Sequence, residues 1–323
     1  MKVLFDYDIF QNQRYGGISR YISYLHSSLA TVPGVESYLC VPFCDNEYLD
    51  SLAPDIPIIG DWPKLLKLPF GKTLAREIVY RASCLYIQPD ILHGSFFYRH
   101  KANFPSKKFV VTLHDMINEL LPDHFGPSDP MPAHKRAAIT SADHVICISE
   151  KTRSDAIAHY GLPVEKFSVV YHGAPQLPSP APLPMALQGR PFLLFVGQRG
   201  GYKNFATVLT AFGLSKQLST DFVLVCCGGG EFTPAEAALI NRLKLGPRQV
   251  EQFSGDDALL AALYAGATLL VYPSLYEGFG MPLLEAFGVG CPVVSTPCGA
   301  IPEIAGPAIE YVADLSVDAF AAA

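Results

Sequence analysis

The chain has 323 residues, half of them hydrophobic, with a formal net charge of −6 and eight cysteines. That length exceeds one ordinary core and suits two domains of roughly 150 residues each. The acidic balance excludes general nucleic-acid binding, which needs a basic face, and no apolar stretch approaches the roughly 18 residues that span a bilayer.

The N-terminus, MKVLFDYDIF, runs straight into a strand-like segment with one lysine, then aspartates, and no small-residue cleavage site. It does not read as a signal peptide. The cysteines are scattered and form no CxxC pair, so reduced, mostly buried thiols of a cytosolic protein are expected. Strands are predicted near 2–8, 36–42, 90–95, 108–114, 144–149 and 167–172. A second series is predicted near 192–197, 222–228, 250–255, 267–273, 292–296 and 308–312. Most are continuous apolar runs, the pattern of strands covered on both faces in a parallel sheet. Helical stretches such as GISRYISYLHSSLA and NFATVLTAFGLSK alternate with them, so the fold class is α/β, with doubly wound domains.

Residues 175–191, PQLPSPAPLPMALQGRP, hold six prolines. Proline lacks an N–H and fixes φ, so this stretch reads as an extended linker. The predicted domains are 1–175 and 190–323, joined by 176–189. The closing FAAA follows the last strand closely, where a doubly wound domain normally adds covering helix; a C-terminal truncation or a short natural form is expected. The segment 62–81, WPKLLKLPFGKTLAREIVYR, carries five Lys/Arg against one acid. Docking on an anionic membrane surface and an ordinary helix packed on its core fit this segment equally well.

The chemistry concentrates in YEGFGMPLLEAF, residues 276–287. Gly278 and Gly280 allow a tight turn and close backbone approach to a ligand. Pro282 fits a first helical turn, so a helix begins near 281 with its free N–H groups toward the strand ends, where open α/β sheets bind ligands. Glu277 and Glu285 would repel a phosphate there, but carboxylates accept hydrogen bonds from hydroxyls. A nucleotide-sugar fits: phosphates on backbone N–H groups, one glutamate for each sugar ring. Alone, either acid would read as an ordinary surface residue. Two cations, Arg199 and Lys203 in FVGQRGGYKNF, follow the first strand of the second half and suit a diphosphate leaving group. In RYGGISRY, Gly16 and Gly17 lead into a helix and can present N–H groups to phosphates. His114 and Asp115 end a strand in VVTLHDMINELLP; Asp115 can equally cap the next helix, and Ser149 reads as a helix N-cap. The G-x-G-x-x-G fingerprint and the P-loop are absent, and no Asp-x-Asp metal motif stands out.

The stretch 271–304, VYPSLYEGFGMPLLEAFGVGCPVVSTPCGAIPEIAG, resembles the signature of the large retaining glycosyltransferase family of the GT-B fold: a glutamate, seven residues, a second glutamate. With the other three segments the resemblance covers nearly the whole chain. It implies two Rossmann-like domains facing across a cleft, an N-terminal acceptor domain and a C-terminal nucleotide-sugar domain. It implies that Glu277 contacts the transferred sugar, Glu285 the ribose, and the backbone of Phe279, Gly280 and Met281 the phosphate or sugar. Arg199 and Lys203 would neutralise the diphosphate, and His114 would lie beside the reacting sugar with Asp115. The implied reaction is hexosyl transfer with retention, by front-face attack, from a nucleoside diphosphate sugar to a glycan or lipid-linked acceptor. It would use neither metal nor cofactor and would serve cell-surface polysaccharide or lipopolysaccharide synthesis at the inner face of the membrane. HDMINELLP and GQRGGYKN look most like bacterial mannosyltransferases, which puts GDP-mannose first and UDP-glucose next. The rival readings are a catalytically impaired sugar-nucleotide-binding protein and a GT-B-fold sugar-nucleotide epimerase.

Overall fold

A computed structural model of the chain describes residues 1–50, 52, 56–60, 72–98, 106–175 and 177–323. The chain divides into two compact units. The first comprises 1–114, 128–148 and 153–170; the second comprises 115–127, 149–152 and 171–323. The boundary thus falls at 170/171, near the predicted 175, and two short pieces of the first half pack with the second unit.

The first unit holds a sheet of β1 (Lys2–Phe5), β2 (Glu36–Cys40), β3 (Ile58–Ile59), β4 (Ile91–Gly94), β5 (Lys108–Leu113), β6 (His144–Cys147) and β7 (Phe167–Val169). The order is β3-β2-β1-β4-β5-β6-β7, and every pairing is parallel. Phe5 sits between Leu39 and His93 in register. The two-residue β3 has no counterpart in the sequence reading, because it is too short to show a period.

The second sheet contains β8 (Phe192–Val196), β9 (Val223–Cys227), β10 (Val250–Phe253), β11 (Leu269–Tyr272), β12 (Val293–Ser295) and β13 (Glu310–Tyr311). Its order is β10-β9-β8-β11-β12-β13, again all parallel. Alternate residues of each strand feed two separate cores. Phe192, Leu194, Val223, Val225, Leu270 and Val293 pack on one face. Leu193, Phe195, Leu224, Cys226, Val271 and Val294 pack on the other. Both faces are apolar because both carry helices, which is why these strands read as unbroken hydrophobic runs. The chain winds outward through β9 and β10, then returns to the other side of β8 as β11. The carboxyl ends of β8 and β11 therefore flank the topological switch point, where this architecture binds ligands.

The proline-rich stretch is irregular, as expected, but it is not a free tether. Leu177 and Leu183 pack against the second core, Leu187 is buried in a short 3-10 turn, and Ala181 N donates to Ala258 O at 3.0 Å. Trp62, Lys64, Leu65, Leu66, Lys67, Leu68 and Phe70 of the basic segment lie outside the described residues. The remainder forms the Lys72–Ile87 helix, which buries Tyr80, Cys84 and Ile87 while leaving Leu74, Ile78 and Leu85 more than half exposed. Among the described residues no helix is long and apolar enough to cross a membrane, and all eight cysteines are free thiols.

Candidate functional site

The loop from β11 to the Met281–Gly288 helix carries both glutamates. Gly280, the residue before the helix, has φ +100, a conformation open to glycine and strained for other residues. Pro282 lies in the first turn. Glu277 is fixed through its backbone: Ala300 N donates to Glu277 O at 2.9 Å. Gly299, with φ +60, presses so closely that a Cβ there would run into the Glu277 backbone N and O. The next peptide is also held. Gly278 O accepts from Ser149 Oγ at 2.7 Å and from Thr152 Oγ1 at 3.2 Å. Ser149 Oγ in turn accepts from Thr152 N, as a helix N-cap does. The Phe279 ring packs edge-on to His172, with centroids 4.9 Å apart, so this residue is anchored by its side chain as well.

Both carboxylates are buried. Glu277 Oε1 meets Lys203 Nζ at 2.6 Å. The ammonium also lies 5.2 Å from the Tyr202 ring centroid and 5.4 Å from that of Tyr272. Lys203 is thus sandwiched between two aromatic faces that attract a cation. Tyr272 is fully buried, and its hydroxyl is pushed far up by burial and by the Glu277 charge. Burial likewise raises Tyr202, with Glu277 and Asp115 adding to the shift. Both phenols therefore stay protonated beside the acid. Glu285 projects inward from the Met281–Gly288 helix, where Tyr264 OH donates to its Oε2 at 3.0 Å.

Arg199 is put to a different use. Its guanidinium is buried and turned onto the glycine loop after β9. Nε meets Glu236 Oε1 at 2.9 Å, Nη1 donates to Gly228 O at 2.7 Å, and Nη2 donates to Gly230 O and Glu231 O at 2.9 and 2.8 Å. Gly228, Gly229 and Gly230 all have positive φ, and a Cβ at Gly229 would meet Arg199 Nη1 at 2.9 Å. Glu236 also completes a capping box with Thr233. Burial pushes its carboxyl up, but Arg199 and the Thr233 N–H outweigh that and hold it below the ordinary value. Arg199 thus organises the loop after β9, whereas Lys203 meets the acid-bearing loop after β11.

The remaining predicted residues divide between the units. His114 is half-buried in the first, edge-on to Tyr21 at 5.4 Å. Asp115 belongs to the second, and its Oδ1 accepts from Ile117 N at 3.1 Å; the N-cap of the short helix that follows is Met116, with no side-chain cap bond, so Asp115 bends the chain before the helix without capping it. Gly17 begins the Gly17–Ala30 helix. Gly16 precedes it, with its missing Cβ replaced by the Gln13 amide, whose Oε1 takes the Ser19 N–H at 3.2 Å. Part of that helix start is therefore already capped from within the chain. The motif reading passed over one Asp-x-Asp, Asp6-Tyr7-Asp8. Both acids are buried, and Asp6 Oδ1 braces the β1 and β4 ends by accepting from Asp8 N at 3.0 Å and Ser95 N at 3.2 Å.

Sequence reasoning missed Tyr264, Tyr272, Tyr202, Glu236 and Gly299. Each lies in an ordinary-looking strand, helix or loop and gains its role only from what the sheet places beside it. Gly299 alone had a signal, a glycine in the turn after PVVST.

Comparison with known proteins follows the same division. Residues 186–323 match the family model described as Glycosyl transferases group 1, and residues 15–175 match Glycosyltransferase Family 4. A similar relative is O-antigen chain mannosyltransferase B of Escherichia coli, 29% identical over 252 residues. The match covers 72% of this chain and 63% of that protein, so the chain spans just under two thirds of its length. Among solved structures, sucrose-phosphate synthase of Thermosynechococcus elongatus aligns with a TM-score of 0.73 at 18% identity, covering 100% of this chain and 88% of the other. Anabaena HepE in complex with UDP and glucose aligns with a TM-score of 0.71 at 18% identity and the same coverages. These structures share the fold, the GT-B architecture.

Proposed function

Given that the chain belongs to the group 1 glycosyl transferases, we propose that it transfers a hexose from a nucleoside diphosphate sugar to a glycan or lipid-linked acceptor, with retention. The observation that carries the reading is the pair of buried carboxylates at the switch point, Glu277 held by Lys203 and Glu285 held by Tyr264. A buried acid beside a ligand-binding edge serves as a hydroxyl acceptor at little further desolvation. Glu277 takes hydroxyls of the transferred sugar and Glu285 those of the ribose. An ammonium has three donors, so Lys203 can keep Glu277 and still meet the diphosphate as its charge grows on bond breaking. Backbone N–H groups of Phe279, Gly280 and Met281 supply the remaining anion contacts, and Arg199 contributes through the glycine loop. Gly16 and Gly17 are assigned to the phosphates through their N–H groups, and His114 and Asp115 to the reacting sugar. The leaving phosphate accepts the acceptor's proton, and neither metal nor cofactor takes part.

Mannose is the first donor sugar, from GDP-mannose, in line with the similarity to the Escherichia coli O-antigen enzyme; the pathway is then cell-surface polysaccharide or lipopolysaccharide synthesis. The UDP and glucose bound by HepE make UDP-glucose the alternative. A lipid-linked acceptor places the enzyme on the inner membrane surface, docked through 62–81. The outward row of Leu74, Ile78 and Leu85, one face of a helix by spacing, supports this. Vesicle binding unchanged by Lys64→Glu with Lys67→Glu would sink the membrane step.

Calorimetric titration with GDP, UDP, ADP and dTDP tests the whole reading, with Glu285→Ala as control. Tight binding of one nucleotide, weakened in the variant, is expected and names the donor class. Binding of none refutes the transferase reading.

A further inference from the structure

We infer that Tyr264 is a positioning residue for Glu285, fixing one carboxylate oxygen so that the acid meets a ligand diol in a preset orientation. This rests on the reading in which Glu285 receives the ribose hydroxyls. Tyr264 lies on the Asp257–Gly266 helix and Glu285 on the Met281–Gly288 helix. The Tyr264 ring is wholly buried in the same core cluster as Leu263, Tyr272 and Leu283. Packing there asks only for a ring, and phenylalanine would supply one. The hydroxyl is the additional feature, and a hydroxyl at that depth needs a partner. Its partner is Glu285 Oε2, at 3.0 Å.

The donor sense is fixed. Burial, and then the Glu285 charge, push the Tyr264 hydroxyl well above its ordinary value, so it donates at any working pH. The carboxylate offers about four lone-pair sites, of which the phenol takes one. Glutamate has several rotatable bonds, and freezing them during binding would lower affinity. A phenol that has already chosen the carboxylate's orientation removes that cost.

The test is calorimetric titration of the full chain and of Tyr264→Phe with GDP and UDP, and with their 2′,3′-dideoxy counterparts. The wild type should favour the ribonucleotide over its dideoxy form. Tyr264→Phe should weaken ribonucleotide binding by about 10-fold, the scale of one hydrogen bond to a charged group, and leave dideoxynucleotide binding unchanged. In a Glu285→Ala background the same substitution should change ribonucleotide binding little, because the acceptor that the phenol orients is gone. Equal weakening of both nucleotide forms would make Tyr264 a packing residue and overturn the inference, as would no weakening. A wild type that binds the nucleotides without preferring the ribose hydroxyls refutes the role of Glu285. One that binds no nucleotide refutes the transferase reading. Failure of the inference alone is thus separable from failure of its premise.

Discussion

Arg199→Ala should destabilise the second unit rather than simply weaken a phosphate contact. The Arg199 side chain is 2% exposed and that of its partner Glu236 15%. Truncation removes the ion pair and leaves the carbonyls of Gly228, Gly230 and Glu231 without their common donor. Breaking a buried ion pair from one side costs about 3–5 kcal/mol. The lower end applies, because Glu236 keeps the Thr233 N–H at 2.7 Å and some contact with water. At roughly 2–4 °C per kcal/mol for a unit of this size, a loss of about 3 kcal/mol lowers the melting temperature by roughly 6–12 °C. Arg199→Lys should recover part of it. A lysine keeps the charge, but a point-like ammonium cannot hold a carboxylate and three carbonyls arrayed around a planar fork. Differential scanning calorimetry of the full chain, beside nucleotide titration, decides the matter. A variant that melts with the wild type yet loses nucleotide binding would show that Arg199 is a ligand group, and the reasoning would fail.

Three further substitutions probe other parts. Gly299→Ala must push the Glu277 backbone aside and adopt a strained φ, so activity should fall about 100-fold, the scale of a 1 Å displacement at a reacting centre; activity within a few-fold of wild type would show that Gly299 does not set the Glu277 position. Lys203→Met leaves the Tyr202 and Tyr272 faces in contact with an apolar chain but removes the charge, so nucleoside diphosphate binding should weaken about 10-fold or more. Binding of the free nucleoside should hardly change, and a parallel loss would argue against a phosphate role. In the first unit, burial holds His26 and His93 neutral, with pKa values down to about 4. Unfolding frees each to take a proton near pH 6.5, so the unfolded state binds more protons in acid. The stability they contribute is present above pH 6.5, is lost as pH falls, and is exhausted near pH 4. At pH 5 the loss is about 2 kcal/mol per histidine. Chemical denaturation of His93→Gln between pH 7 and 5 should therefore show a shallower decline than the wild type, and an identical slope would dismiss His93 as its source.

The twelve predicted strands all form, and most were legible because a strand covered on both faces is apolar along its length. Phe192 and Leu194 go one way, Leu193 and Phe195 the other, and the run announces itself without reference to any other part of the chain. The Glu277 turn was legible for a related reason. Gly280 and Pro282 have local backbone consequences that a sequence displays directly. What holds the acids was not legible, since it arrives through the sheet order. β8 lies beside β11, and this delivers Lys203 to an acid 74 residues away. β12 on the other side of β11 delivers Gly299 to the same acid's backbone. Arg199's surroundings were equally illegible. A cation four residues from Lys203 in a glycine-rich loop suggests one shared ligand. The loop after β9 opens with three glycines of positive φ and exposes carbonyls that need a donor, which Arg199 supplies. The difference between the two cations is therefore a matter of which neighbouring strand's loop each one meets. Lys203 meets the acid-bearing loop after β11, and Arg199 meets the carbonyl-rich loop after β9 on the other side of β8.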